Sequence, residues 1–136
     1  MDKKNQSYAS LCLYGSNLDP DYISELIGLS ASYCCREGDV FMSPSGKKRK
    51  AQTGVWLLNS EPHCRSESLA AHVKWLIDRI VGPVKHITML DGVESAHISC
   101  CFIVKDSGDA FEFDSVLLGE CSELGLSIKL EAYPID

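Results

Sequence analysis

Apolar and polar residues alternate with a period of two in several segments of the chain and repeat with a helical period in others. Alternation over 7–15, 96–105 and 126–134 predicts β-strands, because successive side chains of a strand point to opposite faces. The nearly continuous apolar run in 53–60 predicts a further strand, and 32–35 fits a short one. The last strand alternates most cleanly, with Leu126, Ile128, Leu130 and Ala132 on a face that we expect to be buried.

Three helices are predicted from apolar stripes bounded by capping residues. Asp19 and Pro20 begin the first, and Gly28 ends it. The second begins at Ser66 or Ser68 and stops at Gly82 and Pro83, and residues 83–90 add another helical turn or two. The third runs from its cap Asp114 to Gly125. The expected buried positions are Ile23, Leu26 and Ile27, then Leu69, Val73, Leu76, Ile77 and Ile80, then Leu117, Leu118, Cys121 and Leu124.

The order of these elements is strand, helix, strand, strand, helix, strand, helix, strand. This order predicts an α+β fold, a mainly antiparallel sheet with helices packed on one face. The first six elements match a ferredoxin-like βαββαβ core, which the last helix and strand would extend. A length of 136 residues fits one globular domain over 1–136.

Several residues together resemble a known family. They are the first strand ending in Gly15, the Leu18-Asp19-Pro20 helix start, the Thr53-Gly54-Val55-Trp56 strand and the final ELGLSIKLEAYP. This pattern resembles the bacterial family called domain of unknown function 4279, over nearly the whole chain. The resemblance implies a small bacterial cytosolic domain and supports the fold prediction. It implies no activity and no catalytic residues.

Charge, hydropathy and cysteine content limit the class of partner and the cellular compartment that we expect for the protein. A net charge of -6 argues against general nucleic-acid binding and fits a basic partner. No apolar run is long enough to span a membrane, and the N-terminal segment does not look like a signal peptide, so we expect a cytoplasmic protein. Seven cysteines, an odd number, then indicate reduced and mostly buried thiols.

One basic run departs from the acidic composition: Lys47, Lys48, Arg49 and Lys50 follow a Ser-Pro-Ser-Gly turn. We interpret it as a solvent-exposed loop. An acidic protein partner or nucleic acid is the alternative, although the run contains no aromatic residue that could stack on a base.

The chain contains no recognisable catalytic or metal motif. The pairs Cys34-Cys35 and Cys100-Cys101 lack zinc-ligand spacing, because neighbours on a strand point to opposite faces. His97 and Cys101 share a strand face but stand too far apart for a hydrogen bond. No cofactor is therefore expected, and an enzyme of unrecognised type is the less favoured alternative.

Five aromatic and histidine residues remain as ligand or partner candidates: Trp75, Trp56, Tyr14, His97 and His72. His72 lies at the edge of the second helix's stripe, where it is either an acid–base group or a partly buried, hydrogen-bonded histidine. Trp75 lies opposite that stripe and is either a binding anchor or packed against 83–90. Tyr14, Trp56 and His97 are candidate lining residues for a pocket between sheet and helices.

Three functions are consistent with these observations. The favoured one is a protein-interaction module of the immunity or antitoxin type, which binds a protein partner or forms a homodimer. The alternatives are a small-ligand-binding domain and an enzyme of unrecognised type.

Overall fold

In the computed structural model, which describes residues 7–82, 84–106, 108 and 110–134, five strands form the main sheet and a short hairpin stands apart from it. The elements in chain order are β1 (Ser7–Gly15), α1 (Pro20–Ile27), β2 (Tyr33–Cys35), β3 (Val40–Met42), β4 (Lys48–Lys50), β5 (Gly54–Asn59), α2 (Leu69–Ile80), a 3-10 helix (Ile87–Met89), β6 (Ser95–Val104), α3 (Ser115–Leu124) and β7 (Ser127–Pro134). None of the helices in these ranges is long and apolar enough to cross a membrane.

The sheet has the strand order β2-β5-β1-β6-β7. Its pairings are antiparallel except β6 with β7, which are parallel and joined by the crossover helix α3. The predicted α+β class, with three helices and a mainly antiparallel sheet, is confirmed.

The helix ends follow the capping residues that the sequence predicts. The Asp19 carboxylate accepts hydrogen bonds from the backbone N–H groups of Asp21 and Tyr22, and Gly28 ends α1 in the left-handed conformation. Ser68 caps α2 and Asp114 caps α3, each by accepting from a backbone N–H three residues on. These cap contacts reach at most three residues along the sequence and mark where each helix begins.

The core lies between one face of the sheet and the helices. Ala9, Leu11 and Leu13 of β1 point into it, and α2 packs across β1 and β6. The fully buried apolar residues around them include Ile23, Trp56, Leu58, Leu69, Val73, Leu76, Ile77 and Ile98. Burial of the α1 and α2 stripes is therefore as predicted, except that Leu26 and Ile27 are only partly buried.

Three predictions about local structure are wrong. Lys48–Lys50 is not a loop but strand β4, paired antiparallel with β3 in an exposed hairpin. Leu118 is exposed, because Leu117 takes the inward position and the next residue is turned about 100° away. The apolar face of β7 is not buried throughout: Leu130 is exposed, since β7 is the terminal strand of the sheet and α2 packs mainly against β1 and β6.

Two other predictions fall partly outside the described residues. The helix stop at Gly82 and Pro83 includes residue 83. The turn that the sequence Ser107-Gly108-Asp109 predicts has only its glycine described. Within 84–90 the predicted extra helical turn is the 3-10 helix Ile87–Met89.

Candidate functional site

The face of the sheet opposite the helices carries the most varied chemistry of the described chain. Strand register places Cys12 of β1 between Leu57 of β5 and His97 of β6 on this face. We call it the open face. Strand by strand, its residues are Tyr33 and Cys35 of β2; Val55, Leu57 and Asn59 of β5; Tyr8, Ser10, Cys12 and Tyr14 of β1; Ser95, His97, Ser99, Cys101 and Ile103 of β6; and Ser127, Lys129, Glu131 and Tyr133 of β7. Most of these side chains are half-buried by their neighbours rather than by a helix. The open face is thus a broad surface of the sheet.

The centre of the open face is uncharged near neutral pH. The rings of Tyr14 and His97 stack with centroids 5.7 Å apart and planes at 21°. Burial lowers the pKa of His97, and nearby Lys129 lowers it further, so the imidazole is neutral at pH 7. Burial raises the pKa values of the Cys12 thiol and the Tyr14 phenol, so both keep their protons.

Cys12 and His97 are directly opposite each other in the β1–β6 ladder, a juxtaposition that the sequence could not reveal. Thiol and imidazole side by side suggest nucleophilic catalysis. The Cys12 Sγ instead donates to the Ser10 carbonyl oxygen at 3.8 Å, while His97 stacks on Tyr14. A thiol with a raised pKa is a poor nucleophile, so this pair does not have the features of a catalytic dyad.

A charged cluster lies beside this centre, towards β7. The Tyr133 hydroxyl donates to Glu131 Oε2 at 2.7 Å, and Lys129 Nζ lies 3.4 Å from Glu131 Oε1. These contacts lower the pKa of Glu131, with the tyrosine hydrogen bond contributing most. A hydrogen bond with Cys101, aided by burial, raises the pKa of Tyr8 to about 12. The open face therefore presents neutral rings and hydroxyls at its centre and one paired carboxylate near its edge.

His72 is buried within a closed hydrogen-bond chain and is not exposed to any ligand. Its Nε2 lies 2.7 Å from the Ser66 carbonyl oxygen, which can only accept, so Nε2 carries the proton. Its Nδ1 then accepts from the Ser60 hydroxyl at 2.6 Å, and the same oxygen accepts from the Ala9 N–H at 2.9 Å. These contacts support the interpretation of His72 as a buried, hydrogen-bonded histidine. The hydrogen bonds link α2 to the start of β1 and the end of β5.

Both tryptophans are held by packing. Trp56 is fully buried, and its indole N–H donates to Ser24 Oγ at 2.9 Å, so it lies in the core rather than in a pocket that a ligand could enter. Trp75 is half-buried; its ring stacks on His63 with centroids 4.8 Å apart, and the Arg79 guanidinium carbon lies 5.0 Å from its centroid. These neighbours favour packing over a partner anchor at Trp75.

The basic run forms one strand of the β3–β4 hairpin. Phe41 is paired with Arg49, and Val40 and Met42 are paired with Lys50 and Lys48. All six strand residues are exposed, so the solvent exposure predicted for the run is confirmed. The hairpin also places an exposed aromatic ring beside the cations, which the linear sequence did not show.

A cleft of about 470 Å³ lies on the helix side, at the N-terminal end of α2. Leu69, Phe102 and Phe111 contribute its apolar wall, and Glu67 and Lys105 are among its polar lining. None of the five aromatic and histidine candidates lines it. Within the described ranges, no group of three or more His, Cys, Asp or Glu side chains is arranged to hold a metal ion.

Comparison with known proteins gives one result. A protein-family model described as a domain of unknown function (DUF4279) matches residues 5–134, nearly the whole chain. No curated protein and no solved structure matches the chain.

Proposed function

Because the chain belongs to the family of domain of unknown function 4279, whose description assigns no activity, we propose from its own structure that it is a protein-interaction module of the immunity or antitoxin type. The observation that carries the proposal is the open face. Helices pack on one side of the five-stranded sheet, and the other side displays Tyr8, Tyr14, Tyr33 and Tyr133. Tyrosine supplies large contact area and a polar tip with little loss of conformational entropy, and it is enriched at protein interfaces.

Charge supports a protein partner over other classes. The central side chains are neutral, so they can be desolvated on binding without a buried charge. The net charge of -6 would speed encounter with a basic partner surface and would repel nucleic acid. Binding would block the partner by covering it.

The fold context of this proposal is a ferredoxin-like core. The contiguous antiparallel strands β6-β1-β5-β2 support it, because β1-α1-β2 and β5-α2-β6 then form two split β-α-β units. β7 adds to the outside of that core. The module would work in the bacterial cytoplasm, where its cysteines, none of which is in a disulfide, remain reduced.

Native mass spectrometry of the chain purified gently from its own source tests the proposal. We expect a stoichiometric protein partner that is lost from Tyr14→Ala and kept by Tyr22→Ala. The two variants make the same chemical change, but Tyr22 is exposed on α1, on the helix side. Retention of the partner by Tyr14→Ala, with loss in Tyr22→Ala, would place binding on the wrong face and contradict the proposal.

A small-ligand-binding domain is the second candidate, and the cleft at the start of α2 is the observation that favours it. Its sign in the same experiment is added mass of tens to hundreds of daltons in place of a protein. Replacing Phe111 with Ala would then remove the added mass, whereas Tyr14→Ala would not.

A further inference from the structure

The outer edge of β7 has no partner strand in the described part of the chain. β7 is the terminal strand of the sheet and pairs only with β6. An edge strand presents a row of unpaired backbone N–H and C=O groups that can pair with another chain. The opposite edge is the three-residue strand β2, whereas β7 has eight residues, so β7 offers the longer template.

An apolar row on β7 also continues beyond the cover of the helices. Register places Leu130 beside Cys100, which is buried, and Ala132 beside Phe102, on the helix side of the sheet. Leu130 is nevertheless 51% exposed, and Ala132 is exposed as well. The clean alternation of 126–134 is typical of a strand with one buried face, but this chain alone does not bury it.

The sequence of β7 is complementary to itself when one copy runs antiparallel to another. We propose that two copies of the chain form a symmetric dimer in which their β7 strands pair antiparallel with Leu130 opposite Leu130, joining both sheets into one. In this register Lys129 of each copy faces Glu131 of the other, and Ile128 faces Ala132. Such cross-strand partners have Cβ atoms about 5 Å apart, within reach of an ion pair or apolar contact.

Charge selects this register over its neighbours. A symmetric pairing centred on Lys129 would place two lysines face to face, and one centred on Glu131 would do the same with two carboxylates. A parallel, in-register pairing would oppose both residues to themselves. Like charges directly opposite each other are destabilising, so the register centred on Leu130 is the favoured one, and its two-fold symmetry closes the assembly at two copies.

The dimer uses the edge of the sheet, so it leaves both open faces uncovered and stands independently of the proposed function. Edge pairing of one strand buries less surface than a permanent interface, so we expect a concentration-dependent equilibrium. The exposed Leu130 side chains and the two symmetric ion pairs supply its specificity.

Sedimentation velocity of the full chain from about 10 μM to about 1 mM, a range suited to a weak interface, measures the equilibrium. We expect the wild type to dimerise. Lys129→Glu and Glu131→Lys should each weaken dimerisation about tenfold or more, because each change turns two attractive pairs into two repulsive ones. The double variant K129E/E131K should restore it to within about threefold of wild type, since the pairs are reversed but intact.

A matched control separates β7 from the effect of overall charge. Lys48→Glu makes the same change in the exposed β3–β4 hairpin, which is a separate sheet from the one that contains β7. It should leave the dimer unchanged. A wild type that is monomeric at every concentration, a double variant that is not restored, or equal weakening by Lys48→Glu would each overturn the proposal. Because Lys129 and Glu131 also pair within one copy, circular dichroism of each single variant is needed to show that it is folded.

Discussion

Replacing Ser60 with Ala removes one oxygen atom from the buried hydrogen-bond chain that joins three elements. The Ser60 hydroxyl accepts from the Ala9 N–H at 2.9 Å and donates to His72 Nδ1 at 2.6 Å, and both Ser60 and His72 are fully buried. After the change, the Ala9 donor and the His72 acceptor have no partner. Each unsatisfied buried group costs about 1–3 kcal/mol, so for two groups we expect the free energy of unfolding to fall by roughly 2–6 kcal/mol. Because domains of this kind are stable by about 5–15 kcal/mol, this is a large fraction.

Urea unfolding followed by tryptophan fluorescence measures this loss, because Trp56 is buried in the folded state. With a slope of about 2 kcal/mol per molar urea, the midpoint should fall by about 1–3 M. Ser66→Ala is the matched control: the Ser66 carbonyl that accepts from His72 is backbone and stays, and only a partly exposed hydroxyl is lost. It should cost less than about 1 kcal/mol. A Ser60→Ala loss as small as that of the control would refute the hydrogen-bond argument.

Three further predictions concern backbone packing, thiol chemistry and pH. Gly15→Ala should prevent stable folding, measured by circular dichroism, because its Cβ would overlap the carbonyl oxygen of Gly92, and a normal melt would contradict that. In a thiol-labelling time course on the folded protein, Cys34 should react first, because it is exposed. Cys100 should react last, because burial raises its pKa to about 12. The reverse order would be incompatible with the structure. The interactions that raise the pKa of Tyr8 should stabilise the fold fully below pH 10. This stabilisation should be lost as pH rises from 10 to about 12, and Tyr8→Phe should reduce that loss.

Local signals in the sequence predicted the helix ends and most of the core. Asp19, Ser68 and Asp114 cap helices through contacts within three residues, so neighbouring sequence suffices to identify them. The same holds for the alternation that buries Leu11 and Leu13 in β1. These features depend only on residues that are close together in the sequence.

Features that depend on distant neighbours were not predictable. Exposure of Leu130 follows from the edge position of β7, and the β3–β4 hairpin follows from the pairing of Phe41 with Arg49 eight residues on. The open face is the same kind of case, because Cys12 meets His97 only through the register of β1 with β6. Tyr14 and His97 were predicted to line a pocket between sheet and helices, but the structure brings them together on the opposite face of the sheet. Trp56 and His72 lie in the core.

Site-specific photo-crosslinking in the source cells tests most directly whether the open face binds a protein. A photoreactive phenylalanine analogue would replace Tyr33, which is exposed on the open face, and in a second variant Tyr22, which is exposed on the helix side. The proposal predicts one discrete adduct from position 33 and none from position 22. An adduct from position 22 alone, or a partner that co-purifies but never crosslinks from position 33, would contradict it.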